Sequence, residues 1–216
     1  MTVGAASPAR SELILGGQKS GKSRRAELLA RDWLAQSASH RAVLIATAQP
    51  WDDEMRQRIA RHQADRAERV PGMTTVEEPL QLAQAILAHS RADTLIVVDC
   101  LTLWLTNCLM PAEAELPSDT PSTPSSPTCV SQEYIRNRPL DLMQKGKVTL
   151  LLEAIGQAPG PLVLVGNEIG LGVIPMGREV RAFVDALGLL NQSVASACQR
   201  VTLMAAGLPL TLKEMP

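Results

Sequence analysis

The sequence predicts an α/β fold of three layers, in which a mostly parallel central sheet lies between helices. The first observation is the stretch Gly-Gly-Gln-Lys-Ser-Gly-Lys-Ser at residues 16–23, which fits the phosphate-binding pattern G-x-x-x-x-G-K-[ST]. The second is its context: an apolar run at residues 13–15 precedes it, and apolar residues at helical spacing follow over residues 26–34. Strand, loop and helix are the setting that this pattern requires. We therefore predict a P-loop NTPase fold of the RecA-like type.

The loop predicts binding of a nucleoside triphosphate. Its glycines let backbone N–H groups point at an anion, and the helix that follows adds unpaired N–H groups and a positive dipole end. In this pattern Lys22 reaches the β- and γ-phosphates, and Ser23 supplies a hydroxyl to Mg²⁺. The predicted phosphate-binding residues are Gly16, Gly17, Gln18, Lys19, Ser20, Gly21, Lys22 and Ser23.

The elements that follow alternate between helix and strand, as in a parallel sheet with crossover helices. The first helix is predicted to run from residue 21 or 22 to about residue 36, and the second strand covers residues 42–46. Acidic residues at 52–54 suit the start of a second helix. A short strand at residues 74–76 and an amphipathic helix over about residues 80–87 come next.

Residues 94–99 read Thr-Leu-Ile-Val-Val-Asp, an almost continuous apolar run that ends in a carboxylate. This is the form of a Walker B strand, which is buried in a parallel sheet and ends at the edge where ligands bind. We expect Asp99 to hold Mg²⁺, directly or through water. The alternative is that Asp99 caps the next helix, predicted over residues 101–109.

The composition changes at residue 111, where a segment rich in Pro, Ser and Thr begins. Such a segment has too little apolar surface to offset the entropy of ordering. We expect a disordered loop over about residues 111–147 inside a single domain, residues 12–216, which follows a flexible leader at residues 1–11.

After this segment the α/β pattern resumes and ends in a predicted antiparallel hairpin. A Gly-rich loop is expected at the same sheet edge as the phosphate loop, at residues 166–175. The predicted elements are a helix from about 148 to 156, a strand at 162–165, a helix at 178–197, and strands at 200–205 and 210–213 joined through 207–209.

Composition limits the class of protein. The chain has 216 residues, enough for one α/β domain, and its 21 basic and 22 acidic residues leave no surplus of positive charge for a nucleic-acid partner. The four cysteines show no metal-ligand spacing, so we interpret them as reduced thiols of a cytoplasmic protein, most of them in the core. No apolar run is long enough for a membrane segment, and no secretory signal is apparent.

Several separated segments together resemble the bifunctional adenosylcobinamide kinase / adenosylcobinamide-phosphate guanylyltransferase family of cobalamin biosynthesis. The likeness covers about residues 12–110 and 150–213. The segments are the loop at 16–23, Ala46-Thr47-Ala48, Asp52-Asp53-Glu54-Met55 leading to Arg58-Ile59-x-x-His62 and Arg66, Glu78, the run from Asp99-Cys100 to Thr106-Asn107, and Asn167-Glu168-x-Gly170-x-Gly172-x-x-Pro175.

The resemblance implies two reactions on one protein. A nucleoside triphosphate, ATP or GTP, phosphorylates adenosylcobinamide; GTP then gives GMP to that phosphate, with release of pyrophosphate and formation of adenosylcobinamide-GDP. In the family the GMP passes through a guanylylated histidine, and the matching position here is His62. A neutral imidazole is a competent nucleophile near neutral pH. The resemblance also implies a homo-oligomer, such as a trimer.

The resemblance implies further contacts to the nucleotide or its metal. These come from Ala46, Thr47, Ala48, Gln63, Arg66, Glu78 and Asp99. For Glu78 the alternative is helix capping. Asn167 and Glu168 begin the Gly-rich loop, which either closes over substrate or forms a tight turn. One departure is Lys19, which stands where the family loop usually has Arg and which keeps the charge without the bidentate fork.

Three alternatives remain open from the sequence. The first is a P-loop kinase or NTPase that uses Lys22, Ser23 and Asp99 without a covalent intermediate. The second is a guanylyltransferase that lacks the kinase activity. The third is a nucleotide-dependent switch whose loop at residues 111–147 contacts a partner.

Overall fold

The computed structural model describes residues 9–110, 140–172 and 176–215, and these carry one seven-stranded sheet. The strands are β1 (Ser11–Gly16), β2 (Arg41–Ala46), β3 (Thr74–Glu77), β4 (Thr94–Asp99), β5 (Leu162–Asn167), β6 (Arg200–Ala205) and β7 (Leu208–Glu214). Their order in the sheet is β3-β2-β4-β5-β1-β6-β7. All neighbours pair in parallel except β6 and β7, which pair antiparallel. The predicted mostly parallel sheet with a C-terminal hairpin is confirmed.

Helices cover both faces of the sheet. They are α1 (Lys22–Gln36), α2 (Asp53–Arg69), α3 (Leu82–His89), α4 (Leu101–Leu109), α5 (Leu140–Gln157) and α6 (Arg178–Ala197). Buried side chains of α3 to α6 form one apolar core on one face, and α1 packs into a second core on the other face. This is the predicted three-layer arrangement.

The carboxyl ends of four parallel strands meet at one edge of the sheet. Gly16 of β1 is in register with Asn167 of β5, and Asp99 of β4 is in register with Ala46 of β2. Strand β5 lies between the strand of the phosphate loop and the strand that ends in Asp99. This order is that of the predicted RecA-like type. It brings the strand ends together at one edge of the sheet, where the sequence predicted ligand binding.

Two predicted boundaries were wrong. Helix α5 begins at Leu140 rather than near residue 148, so it extends into the end of the segment predicted as loop; the rest of that segment, residues 111–139, lies outside the described residues. The hairpin turn is Ala206-Gly207, with φ of 51° and 82°, rather than residues 207–209. Two successive positive φ angles make the tight two-residue turn that matches the twist of the flanking strands. Pro209 is therefore part of β7, where an edge strand tolerates it.

The cysteines of the described residues are free thiols, and Cys100 and Cys198 are buried core residues as predicted. Burial raises the pKa of the Cys100 thiol to about 11 and that of Cys198 to about 12. Cys129 lies outside the described residues. Within residues 9–110, 140–172 and 176–215, none of the helices has both the length and the apolar character needed to cross a membrane.

Candidate active site

The phosphate loop closes tightly between β1 and α1. A Cβ atom on Gly16 would lie 2.5 Å from the carbonyl oxygen of Met204 and 2.6 Å from Ser20 Oγ, so only glycine fits there. Gly21 has φ of 97°, a conformation that suits glycine, and caps the start of α1. Ser20 Oγ is buried and has no hydrogen-bond partner among the described residues, so it remains available to a phosphate oxygen.

The C-terminal hairpin supports this loop from the side. Gly207 N–H, in the hairpin turn, donates to the carbonyl oxygen of Ser20 across 3.0 Å. The methyl carbon of Met204 would lie 3.6 Å from a Cβ placed on Gly21. The loop is therefore positioned by residues far away in the sequence as well as by its own glycines.

Lys22 lies beneath the loop and is buried. Its Nζ donates to the carbonyl oxygen of Gly17 across 2.6 Å. Burial lowers the pKa of this ammonium group below its ordinary value of 10.5, although the nearby Asp99 carboxylate opposes the shift. A buried cation with few counter-charges favours an incoming polyanion, because the anion restores the electrostatic stabilisation that burial removed.

A cavity of about 360 Å³ opens above the loop and the carboxyl edge of the sheet. Twelve of the predicted site residues line it: Gln18, Lys19, Ser20, Gly21, Lys22, Ser23, Ala46, Ala48, His62, Gln63, Arg66 and Asp99. Residues from four separate segments of the chain thus converge on one cavity.

The charged residues that line this cavity are mainly basic. Its basic residues are Lys19, Lys22, Arg24, Arg58, Arg61, Arg66 and Arg69, and its acidic residues are Asp65, Glu77 and Asp99. The chain as a whole has a net charge of −1, so the positive charge is local to the cavity. A concave positive site attracts an anion of the size of a nucleotide and raises its local concentration.

His62 reaches the cavity from α2. Asp52 begins this helix by accepting a hydrogen bond from Met55 N–H at 2.7 Å, and acidic residues in the first turn suit the helix dipole. Arg66, one turn further on, is buried and donates to Thr75 Oγ1 at 3.4 Å. The imidazole of His62 is exposed and has no hydrogen-bond partner within the described residues.

The other two histidines lie away from this cavity. His40 stacks on Trp33 with ring centroids 3.7 Å apart, and His40 Nδ1 lies 2.8 Å from the carbonyl oxygen of Trp33. His40 and His89 line a separate groove at the amino ends of β2, β3 and β4. Neither of them lines the cavity of the phosphate loop.

Thr47 and Glu78, predicted to contact the nucleotide, do not line the cavity. Thr47 is fully buried; its hydroxyl donates to the carbonyl oxygen of Cys100 at 2.7 Å and accepts from Cys100 N–H at 2.9 Å. Glu78 Oε1 accepts from the N–H groups of Leu80 at 2.9 Å and Gln81 at 2.7 Å, just before α3. Glu78 therefore holds the turn that precedes α3, without a hydrogen bond to the helix itself, and Thr47 ties β2 to the end of β4. Gly16 and Gly17 shape the loop but also lie outside the lining.

Glu77 lines the cavity in place of Glu78. It is the last residue of β3 and is in register with Ala46 of β2, so it stands at the same sheet edge as the other site residues. Sequence reasoning missed it, although the rule that strand ends meet at this edge could have singled it out. Its carboxylate has no hydrogen-bond partner within the described residues, so it is free to accept from a ligand.

Ser23 and Asp99 both line the cavity and supply oxygen donors. Neither side chain has a hydrogen-bond partner within the described residues. Hydroxyl and carboxylate oxygens are ligands that Mg²⁺ accepts, and Mg²⁺ takes most of its remaining ligands from water and substrate phosphates. Among the described residues, no group of three or more His, Cys, Asp or Glu side chains is placed to hold a metal ion.

Comparison with known proteins gives a family and several relatives. A family model described as cobinamide kinase / cobinamide phosphate guanyltransferase matches residues 12–212. The bifunctional adenosylcobalamin biosynthesis protein CobP of Pseudomonas aeruginosa is 44% identical over 206 residues, which are 95% of this chain and 98% of that protein. The bifunctional adenosylcobalamin biosynthesis proteins CobU of Escherichia coli and Salmonella typhimurium are 31% and 32% identical, each over 93% of this chain and 98% of the relative.

Among solved structures, the flagellar accessory protein FlaH from Methanocaldococcus jannaschii aligns with a TM-score of 0.46 at 11% identity. That alignment covers 98% of this chain and 81% of FlaH. The RadB recombinase aligns with a TM-score of 0.43 at 12% identity, over 93% of this chain and 76% of RadB.

Proposed function

Since this chain belongs to the cobinamide kinase / cobinamide phosphate guanyltransferase family, and is therefore a transferase of cobalamin biosynthesis, we propose that His62 is its covalent nucleophile. In the proposed order of reactions, a nucleoside triphosphate first phosphorylates adenosylcobinamide. GTP then transfers GMP to that phosphate through a guanylylated His62, giving adenosylcobinamide-GDP and pyrophosphate.

The observation that carries the proposal is that His62 lines the same cavity as the phosphate loop. In this loop pattern the backbone N–H groups hold the α- and β-phosphates, so the α-phosphate would lie in the cavity that His62 also lines. A ring nitrogen of neutral His62 attacks that phosphorus, a nitrogen–phosphorus bond forms, and the bond to the bridging oxygen of the β-phosphate breaks. Pyrophosphate leaves, and the phosphate of adenosylcobinamide phosphate then displaces the imidazole.

Arginines of α2 support the charge that develops in this step. Arg58, Arg61 and Arg66 lie in the cavity lining around His62. Guanidinium groups bind phosphate oxygens with two hydrogen bonds at once, so they can steady both the α-phosphate and the departing pyrophosphate.

Ser23 and Asp99 are proposed to hold Mg²⁺ with the triphosphate. The ion, when bound, screens the phosphate charge and favours departure of the pyrophosphate. The chain supplies the Ser23 hydroxyl and the Asp99 carboxylate for this purpose, beside Lys22.

The test is labelling with GTP that carries ³²P at the α-phosphate. We expect acid-labile, base-stable label on the wild-type protein and no label on His62→Ala. The matched control is His89→Ala, which removes an imidazole from the opposite sheet edge and should keep the label. If the wild-type protein converts adenosylcobinamide without ever carrying label, the covalent route is wrong and direct transfer takes its place. If GTP binds but adenosylcobinamide is unchanged, the chain is a switch and the whole proposal fails.

A further inference from the structure

Asn167 ends β5 at the centre of the site. It is in register with Gly16 at the start of the phosphate loop, and Val165, two residues before it, is in register with Asp99. The side chain lines the nucleotide cavity and is half-buried. Within the described residues its amide has no hydrogen-bond partner. An unpaired amide therefore faces the cavity between the two groups that would hold the triphosphate and its metal.

Two buried side chains fix the backbone that carries this amide. Asn167 N–H donates to Thr102 Oγ1 at 2.9 Å, and its carbonyl oxygen accepts from Asn191 Nδ2 at 3.0 Å. Thr102 is 8% exposed and Asn191 is 4% exposed, so both are shielded from water. The next residue, Glu168, donates its N–H to the carbonyl oxygen of Gly16 at 3.1 Å. Asn167 is thus held from α4, from α6 and from the phosphate loop.

The contact of Asn191 with β5 comes with a loss of stability elsewhere in the same side chain. Asn191 Oδ1 is buried and has no hydrogen-bond partner among the described residues, which lowers stability relative to a paired amide. Its neighbours on α6 that face the core are apolar, namely Leu187, Leu190 and Val194. A Cβ on Gly166 would lie 3.2 Å from Leu15 Cδ2 and 3.4 Å from this oxygen, so the amide packs closely over β5. Asn191 Nδ2 also lies 3.5 Å from Glu168 Oε2, so its contacts hold the end of β5 and the residue that follows it.

We propose that Asn167 is a substrate-contacting residue whose Nδ2 donates a hydrogen bond to the γ-phosphate of the bound triphosphate, with Thr102 and Asn191 as positioning residues. The inference rests on the proposed function for the presence of a triphosphate in this cavity. In the loop pattern Lys22 reaches the β- and γ-phosphates, and Asn167 lies beside that loop on the side of Asp99. A neutral donor held by rigid elements suits oxygens whose charge is already balanced by a lysine and a metal.

The two reactions should depend on this contact to different extents. In the kinase step the bond from the γ-phosphorus to its bridging oxygen breaks and a bond to the hydroxyl oxygen of adenosylcobinamide forms. The nucleoside diphosphate leaves, and the hydroxyl proton passes to solvent water. The transferred group then carries the developing charge, so a donor on its oxygens acts on the reacting centre. In the guanylyl step the γ-phosphate leaves inside pyrophosphate, and the reacting phosphorus is the α-phosphorus. Loss of Asn167 should therefore slow the kinase step more than the labelling of His62.

Asn167→Ala tests the contact by binding as well as by rate. With Mg²⁺ present, we expect its affinity for a non-hydrolysable GTP analogue to fall on the order of tenfold, since hydrogen bonds to charged groups are among the stronger ones, while its affinity for GDP stays unchanged. Thr102→Val and Asn191→Leu should show a smaller loss of the same triphosphate-selective kind. Gln192→Ala, an exposed neighbour on α6, is the control and should bind both nucleotides as the wild type does.

The inference is overturned if Asn167→Ala binds both nucleotides normally, or if it loses GDP and the GTP analogue equally, as a general distortion of the site would produce. Thermal denaturation of each variant checks folding. The outcome is separable from that of the proposed function. A triphosphate-selective loss without label on His62 would reject the covalent route alone, and normal labelling with normal binding in Asn167→Ala would reject the γ-phosphate contact alone.

Discussion

Arg69 Nη1 lies 2.8 Å from Glu27 Oε2, and this ion pair joins the helix that carries His62 to the helix that follows the phosphate loop. The Glu27 side chain is 5% exposed, whereas Arg69 is 38% exposed and also contacts Asp65 at 3.1 Å. The hydrogen bond to Glu27 raises the pKa of the Arg69 guanidinium, so the guanidinium stays charged. Of the residues of α2, Arg66 alone is buried. The position of His62 therefore depends strongly on this pair.

Arg69→Met should lower both stability and guanylylation. The change leaves the buried Glu27 carboxylate unpaired, which should reduce the free energy of unfolding by about 1–3 kcal/mol. It also releases α2 from α1, so label should reach His62 more slowly at saturating GTP. The control is Arg56→Met, which removes an exposed pair with Asp53 on the same helix and should cost at most about 0.5 kcal/mol. Urea denaturation and labelling rates measure both effects; equal effects of the two variants would contradict the prediction.

Glu77→Ala should reduce the preference for GTP over ATP. The guanine edge offers two adjacent N–H donors to a carboxylate, and adenine does not, so the loss for GTP should be about tenfold or more. Glu78→Ala instead removes two hydrogen bonds of the turn that precedes α3 and should cost about 1 kcal/mol of stability without changing nucleotide preference. Calorimetric titration with each nucleotide and thermal denaturation separate the two. A shift of preference in Glu78→Ala would show that the assignment of these neighbours is wrong.

These neighbouring glutamates show where sequence reasoning succeeded and where it stopped. Strands β1, β4 and β5 were predicted well because a parallel strand buried on both faces is a continuous apolar run. The phosphate loop was identified from its pattern together with the strand before it and the helix after it. The choice between Glu77 and Glu78 depends on where β3 ends, and the sequence pattern does not mark the last residue of a strand clearly. Resemblance singled out Glu78 alone, whereas the register of β3 with β2 puts Glu77 at the end of the strand.

Other differences have similar physical causes. The hairpin turn was assigned to residues 207–209 because Gly and Pro usually mark turns, whereas the chain turns at Ala206-Gly207, with a positive φ at alanine. The buried role of Thr47 depends on two hydrogen bonds to Cys100, a long-range contact that no local pattern encodes. The early start of α5 at Leu140 falls in a stretch that has few apolar residues at helical spacing.

Gly16→Ala should disrupt the phosphate loop, and Gly17→Ala should be tolerated by the fold. The new Cβ at Gly16 would meet backbone and side-chain oxygens at 2.5 and 2.6 Å, whereas at Gly17 nothing lies within 4 Å. We expect Gly16→Ala to lower the free energy of unfolding by about 1–3 kcal/mol and to weaken nucleotide binding. Thermal denaturation without nucleotide gives the comparison. A melting temperature for Gly16→Ala equal to that of Gly17→Ala would contradict the close approach of Met204.

Nucleotide binding should be coupled to proton uptake at alkaline pH. Burial lowers the pKa of Lys22 below 10.5 in the free protein, so between that lowered pKa and 10.5 the unfolded chain binds more protons than the native chain. The contribution of Lys22 to the free energy of unfolding therefore increases as the pH rises through this interval. Bound phosphates raise the pKa of Lys22 again, and the complex takes up a proton.

Titration calorimetry in two buffers of different ionisation enthalpy measures this uptake. Lys22→Arg should bind without it, because a guanidinium stays protonated throughout the interval. Lys213→Met is the control, since Lys213 Nζ bonds to carbonyl oxygens of α6 away from the site. If the wild type and Lys22→Arg take up protons to the same extent on nucleotide binding, the proton binds to a group other than Lys22.

The pairing of β1 has a consequence for the synthesis and folding of this chain on the ribosome. This strand is made first, yet its two neighbours in the sheet are β5 and β6, and the turn that holds Ser20 lies beyond both. Chains emerge from the ribosome from the N-terminus, so the phosphate loop is translated long before the strands that shape it. During that time its strand is an open edge without partners on either side. A nascent chain therefore cannot gain stability from nucleotide until the hairpin is complete, and premature termination before β6 should leave a product that proteases remove.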